Sequence, residues 1–270
     1  MRWAWAHKIK TIVFLVLLLI IVELATIPWF SVSSLRDHNP QETALMRQRG
    51  NEAKEEGKSF KVTQRWVPLA RVPKEVVDAI VVAEDGTFFT HNGFDWYEVQ
   101  ESVEKNLQKG KPVRGASTIT QQLAKNLYLS TSKDPVRKLK EAIITLLLER
   151  SLSKQRILEL YINCIEWGRG IFGIEAASQA YFGKSAAALS LEEGARLAAV
   201  IPSPLKHRPD ADTRYVLRRT QIVLNRLAAR NEYLPQHQEE TPSSQTDQEH
   251  LSATEATDST ATDEGDGNGL

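Results

Sequence analysis

The sequence predicts a mostly α-helical protein: two lobes of helices around a groove, carried behind one N-terminal membrane helix. Three observations support this. Helix start and stop signals recur through residues 59–235, whereas only Phe60–Val67 alternates in the manner of a strand. The run Thr11–Val22 is uncharged and apolar behind Arg2, Lys8 and Lys10. The single cysteine, Cys164, rules out a disulfide scaffold and a cysteine-built zinc site, and no fixed period recurs, so the 270 residues must be held by an ordinary packed core.

Taken in order, residues 1–10 form a basic cytoplasmic N-terminus and residues 11–30 a transmembrane anchor, with Glu23 near its outer interface. About 20 helical residues cross roughly 30 Å of hydrocarbon. Three basic residues precede the run and Arg36 alone closely follows it, which puts the body outside the cytoplasm. The competing reading, a cleaved signal peptide, lacks an A-x-A site. Residues 31–58 are polar and read as a stalk or a loose first helix, and residues 59–235 form the working body. Residues 236–270 hold nine acids, no Lys or Arg and almost nothing to bury, so they read as a disordered acidic tail. The formal net charge of zero therefore hides a body of about +9, which suits nucleic acid, anionic lipid or a pyrophosphate substrate.

Within the body, Lys74–Asp85 reads as a helix closed by Gly86 at C′. Thr118-x-x-Gln121 is a capping box, and Asp134-Pro135 opens a helix through Arg150. Ser153, Ser190 (with Glu193) and Asp212 are further N-cap candidates, while Pro202 and Pro204 stop the helix holding Arg196–Ile201.

Four groups of residues could carry chemistry. On a wheel of about 100° per residue, Glu84 falls in the middle of the Val76/Val77/Ile80/Val81 face. Desolvation and the negative helix end both raise a carboxyl pKa there, as proton transfer near neutral pH requires. The plainer alternative is a frayed last turn that swings Glu84 into water. Arg137, Lys138 and Glu141 open a helix whose remaining circumference is apolar, which predicts burial all round. The alternative there is a surface i,i+4 pair worth about 0.3–0.5 kcal/mol. Thr118, Gln121, Gln122 and Lys125 make a donor-rich stripe suited to sugar hydroxyls and phosphate oxygens, or simply a solvated face. His91 follows Phe88-Phe89 in a loop, where a lone histidine is most often structural. Ser130-x-x-Lys133 and Ser151-x-x-Lys154 match the pattern of penicillin-reactive serine enzymes, but no K-T-G follows. Neither a P-loop nor HExxH occurs.

Five ordered motifs then become recognisable across about residues 64–209. They are Glu84-Asp85 with Phe88 and His91-x-Gly93; Gly115-Ala116-Ser117-Thr118-Ile119-Thr120-Gln121-Gln122 with Lys125-Asn126; Arg137-Lys138-x-x-Glu141; Ile157-Leu158-Glu159-x-Tyr161-x-Asn163; and Gly173-x-x-x-Ala177 running into Tyr181-Phe182-Gly183-Lys184. Together they resemble the family 51 glycosyltransferases, peptidoglycan polymerases of lysozyme-like fold. Ala116 stands where bifunctional relatives usually have a second glycine, and with an anchor and no transpeptidase domain the chain looks like a monofunctional member.

The resemblance implies that lipid II and the nascent glycan strand are the substrates, with undecaprenyl pyrophosphate released and the anomeric centre inverted. It implies Glu84 as general base towards the acceptor GlcNAc 4-hydroxyl and Glu141 as the second catalytic glutamate. Lys125, Arg137 and Lys138 would stabilise the pyrophosphate, and Asp85, Phe88, His91, Ser117, Thr118, Gln121, Gln122 and Asn126 would line the substrate site. Mg²⁺ or Mn²⁺ assisting at the pyrophosphate is compatible with it, although the sequence has no dedicated metal cage and needs no organic cofactor. The implied setting is the bacterial inner membrane, with the catalytic domain on the periplasmic side in cell-wall biogenesis and the maintenance of cell shape. Other cell-wall synthesis or division proteins are the expected protein partners, and nucleic acid is not one. The runner-up readings are a lysozyme-like lytic muramidase, which has no use for Arg137 and Lys138, and a non-catalytic scaffold.

Overall fold

A computed structural model describes residues 2–110, 117–132 and 134–238. Residues 1–228 form one compact unit; a second, from Ala229, is described only as helix up to Gln238. The acidic tail expected at 236–270 thus lies, from residue 239 onward, outside the described residues. The chain is mostly helical, as expected. Its helices are α1 (Arg2–Ala25), α2 (Trp29–Ser34), α3 (Ala44–Glu55), α4 (Lys74–Glu84), α5 (Trp96–Lys109), α6 (Ile119–Tyr128), α7 (Pro135–Ser151), α8 (Lys154–Cys164), α9 (Ile174–Phe182), α10 (Leu191–Val200) and α11 (Arg214–Gln238).

The N-terminal apolar run is not one helix. The stretch long and apolar enough to cross a bilayer is Val13–Ser34, but α1 ends at Ala25 and α2 begins after Pro28. Proline has no N–H to continue a helical ladder and restricts the residue before it. α2 then packs on α7, and Ile27 and Val32 are buried. Lys140 of α7 also pairs with Glu23 of α1.

Of the two readings for residues 31–58, the helix forms, as α3, and it is packed on the body rather than standing off as a stalk. Thr43 caps α3 by accepting the Met46 N–H at 3.1 Å, and Leu45, Met46 and Ala53 are buried. Arg49 reaches the buried carboxylate of Glu166 at 2.8 Å. With few apolar residues anchoring it, among them Val32, Leu35, Leu45, Met46 and Ala53, the segment looked merely polar in composition.

The strand expected over Phe60–Val67 shrinks to β1 (Thr63–Gln64). It runs parallel to β3 (Ile171–Phe172), which pairs antiparallel with β2 (Glu166–Gly168) across an irregular register. β2 and β3 are too short to leave a period in the sequence. Gly170 makes their turn at φ 74°, where a Cβ would stand 2.4 Å from the Lys61 carbonyl oxygen.

The caps at Thr118, Asp134, Ser153 and Ser190 all form as expected. Three other expectations fail. α4 ends because Asp85 turns to φ −161°, and Gly86 is not in the left-handed region. The cap of α11 is Thr213, whose hydroxyl accepts the Val216 N–H at 3.3 Å, while Asp212 instead pairs with Arg196. α7 is not buried all round: Val136, Leu139 and Leu146 are 48%, 64% and 48% exposed.

The core fills with Trp167, Tyr161, Phe88, Phe172, Ile80 and Leu123, all fully buried. Packing is closest between α4 and α10, and between α6 and its neighbours α7 and α8. Gly194 allows the first of these contacts, since a Cβ there would meet Val76 at 2.9 Å. The end of α4 meets the start of α6 where these two groups of helices join.

Candidate active site

The site begins at the last residue of α4. Its next residue, Asp85, is buried and ties two segments together. Asp85 Oδ1 lies 2.9 Å from His91 Nε2, and Oδ2 accepts the Ile119 N–H of α6 at 3.0 Å. His91 Nδ1 accepts the Gly93 N–H at 3.1 Å, so the ring proton sits on Nε2 and is directed at Asp85. Thr118 Oγ1 donates to the Gly93 carbonyl at 2.7 Å. Phe88 is fully buried beneath this loop, with Lys154 Nζ 4.4 Å from its ring centroid. Asp85, Phe88 and His91 therefore form the frame that holds the end of α4 against α6.

On α6, two members of the expected donor stripe close the helix end instead. Gln121 N–H donates to Thr118 Oγ1 at 3.2 Å, and Thr118 N–H donates to Gln121 Oε1 at 3.0 Å. Asn126 is buried, and Ser117 is exposed just before the cap. Gln122 and Lys125 face the carboxylate. Gln122 Nε2 donates to Glu84 Oε2 at 2.8 Å, and Gln122 Oε1 accepts the Tyr161 hydroxyl of α8 at 3.0 Å.

Burial raises the Glu84 carboxyl above the ordinary glutamate range, and Asp85 adds to this. The Gln122 hydrogen bond and the charges of Arg219 and Lys125 oppose the rise. Burial likewise lowers the Lys125 ammonium, with Glu141 and Glu84 opposing and Arg137 and Lys138 reinforcing. These charges interact as one cluster.

α7 supplies the rest. Asp134 Oδ1 accepts the Arg137 N–H at 2.7 Å, fixing the first turn. Arg137 Nη1 bonds Glu141 Oε2 at 2.7 Å, and Lys138 bonds the other oxygen, Oε1. Glu141 is buried and the Arg137 side chain only 14% exposed, whereas that of Lys138 is half exposed. The i,i+4 pair exists, then, but not as a solvated surface pair. Arg137 Nε is buried without a partner among the described residues.

Three contributors were not among the expected site residues, and only Tyr161 and Asn163 stood in a recognised motif. Arg219, on α11, acts electrostatically on Glu84, and its Nε is buried without a partner among the described residues. It stands in an arginine-rich helix where no spacing sets it apart. Tyr161 stands in its motif with no role of its own, and in the structure it is fully buried with its hydroxyl on Gln122. Asn163 had only its place in a motif, yet it accepts the Val67 N–H and donates to the Val67 carbonyl, both at 2.9 Å. With Glu159, which accepts the Leu69 N–H at 2.9 Å, it fixes the Trp66–Leu69 segment.

A single carboxylate of raised pKa beside a group of cations can remove a proton from a hydroxyl while an anionic leaving group is stabilised. The transglycosylase family model matches residues 50–228. Among the relatives named biosynthetic peptidoglycan transglycosylase are those of three bacteria. That of Nitrosospira multiformis is 46% identical over 191 residues, covering 71% of this chain and 83% of its own. That of Herminiimonas arsenicoxydans is 44% identical over 193 residues, covering 72% and 84%. That of Janthinobacterium sp. is 43% identical over 215 residues, covering 80% and 91%.

Proposed function

The chain belongs to the transglycosylase family, and from that membership and the geometry of the site we propose how it polymerises the glycan strands of peptidoglycan. It is a peptidoglycan glycosyltransferase of cell-wall synthesis, acting on lipid II and the growing strand. The observation that carries the mechanism is the placing of Glu84, held by Gln122 at 2.8 Å beside the Lys125, Arg219 and Arg137–Glu141–Lys138 charges.

Glu84 accepts the proton of the acceptor GlcNAc 4-hydroxyl. The freed oxygen attacks C1 of the lipid-linked sugar from the face opposite the leaving group. The new O–C1 bond forms as the bond to pyrophosphate breaks, which inverts the centre. Lys125, Arg137 and Lys138 stabilise the charge that develops on the departing diphosphate more than they stabilise the bound substrate. Glu141 has both oxygens engaged by Arg137 and Lys138, so its role in this reading is to hold those cations in place. Ser117, exposed ahead of the cap, is the neutral group free to meet a sugar hydroxyl at this end of α6, while Gln122 is held between Glu84 and Tyr161.

The described residues form no cage for a divalent cation, so Mg²⁺ or Mn²⁺ would be held chiefly by the pyrophosphate of the substrate. Among the described residues no three His, Cys, Asp or Glu side chains converge, and both oxygens of Glu141 already bond Arg137 and Lys138. No step is routed through Mg²⁺ or Mn²⁺. The N-terminal apolar segment, the one candidate among the described residues, fits a single-pass anchor, and the basic residues ahead of it support a body on the periplasmic side, where lipid II is used.

Incubating the full chain in detergent with labelled lipid II tests the reading. Long glycan that muramidase digests is the expected product. Shortening of added sacculi would mark a lytic enzyme, and no change in either substrate would mark a scaffold.

A further inference from the structure

Gln122 sits between two partners that require opposite ends of its amide. Its nitrogen donates to Glu84 Oε2 at 2.8 Å, and its oxygen accepts the Tyr161 hydroxyl at 3.0 Å. The three side chains come from three helices, α4, α6 and α8. Tyr161 is fully buried, and Gln122 is the sole hydrogen-bond partner its hydroxyl has among the described residues. Turning the amide over would set Oε1 against the Glu84 carboxylate and leave the phenolic proton without an acceptor. Both changes are unfavourable in a desolvated site.

We propose that Tyr161 is a positioning residue for glycan polymerisation: its buried hydroxyl locks the Gln122 amide so that an N–H, and not a carbonyl, faces Glu84. The consequence is a choice of protonation state. With the nitrogen inward, Gln122 favours the ionised carboxylate, the form that can accept a proton. With the oxygen inward, it would favour the protonated carboxyl, which cannot. The other charged groups facing Glu84 are Lys125 of α6, Arg219 of α11 and Asp85 beside it, and none of them hydrogen-bonds the amide. Burial holds the Tyr161 phenol well above its ordinary pKa, so it remains a donor throughout the working range.

This rests on Glu84 as the base, and the experiment separates the two ideas. The pH dependence of kcat/KM for lipid II is compared between the wild-type chain and Tyr161→Phe, both in detergent. Freed to turn over, the amide should move the acid limb upward by about one pH unit, as expected when a hydrogen bond to a charged group is lost. In a Gln122→Met background, the added Tyr161→Phe change should move the limb no further. A limb that coincides with wild type in a folded Tyr161→Phe chain overturns the proposal, as does an additive shift in the double variant. If Tyr161→Phe does not fold, the Gln122 side-chain amide resonance in the wild-type chain gives the answer. It must follow a titration that Glu84→Gln removes, and a pH-independent resonance overturns the proposal. Should Glu84→Gln retain wild-type turnover, it is the assignment of the base that fails, whatever Tyr161 does.

Discussion

Asp85 and His91 form a clamp with a defined tautomer. Nε2–H of His91 is directed at Asp85 Oδ1 at 2.9 Å, while Nδ1 accepts the Gly93 N–H at 3.1 Å. The other Asp85 oxygen holds the first N–H of α6 at 3.0 Å, so one carboxylate sets the distance between the end of α4 and the start of α6. Glu84 and Gln122 meet across that gap.

His91→Ala should accordingly cost stability as well as turnover. It strips partners from Asp85 and from the Gly93 N–H, and an unsatisfied buried polar group costs about 1–3 kcal/mol. The thermal midpoint should fall, and kcat should fall with it. Gly93→Ala should be at least as harmful: at φ 91° a Cβ would stand 2.7 Å from Thr145 Cγ2. A wild-type midpoint in both variants would remove the clamp from the account.

Glu84→Gln should abolish polymerisation with the midpoint preserved. Loss of a general base typically costs about 10²–10⁴ in rate. Near-normal glycan synthesis by this variant would exclude Glu84 from the chemistry.

The pH profile should be a bell whose limbs lie closer together than ordinary Glu and Lys would place them. Glu84 works ionised and burial raises its pKa, so activity is lost as pH falls through that raised value. Lys125 works protonated and burial lowers its pKa, so activity is lost as pH rises through that lowered value. In Lys125→Arg, a guanidinium that does not titrate should move the alkaline limb upward while the acid limb stays in place.

Arg137→Ala and Lys138→Ala should both slow turnover, and Arg137→Ala the more. Arg137 is the less exposed of the two, so its charge is less screened by water. A lost electrostatic contact to a developing anion costs about 2–4 kcal/mol of barrier. Lipid II turnover measured beside the thermal midpoint decides the matter. A lowered midpoint with an unchanged rate would mean that Arg137 serves only Glu141.

Removal of residues 1–25 should leave the midpoint near wild type, whereas removal of residues 1–34 should lower it. Only the longer cut takes away Ile27 and Val32, which are buried, and each fully buried side chain of this kind contributes about 1.5–3 kcal/mol. Equal midpoints would show that α2 adds nothing to the body.

The helical body was legible because its caps are local. Thr118, Asp134, Ser153 and Ser190 each accept from a backbone N–H three residues on, a relationship written in consecutive letters. Glu84 was legible for the same reason, since its neighbours on the wheel are its neighbours in the chain. What escaped was long-range. Arg49 finds Glu166 117 residues away, and Gln122 finds Tyr161 39 residues away. No periodicity encodes such pairs. The donor stripe of α6 failed by half for a related reason: Thr118 and Gln121 are polar because they close a helix end, and a wheel cannot distinguish that use from facing a substrate.

Asn163 holds Val67 by both its N–H and its carbonyl, as a neighbouring strand would. Asp lacks the donor for this and Gln is too long, so the position tolerates one residue for reasons that involve no sugar. Glu159 and Asp85 are constrained in the same way, by backbone N–H groups. A signature built from these motifs therefore detects the scaffold as readily as the chemistry. A descendant that had lost Glu84 while keeping Asp85, Glu159 and Asn163 would still be recognised as kin, and would still fold, without extending a single strand of cell wall.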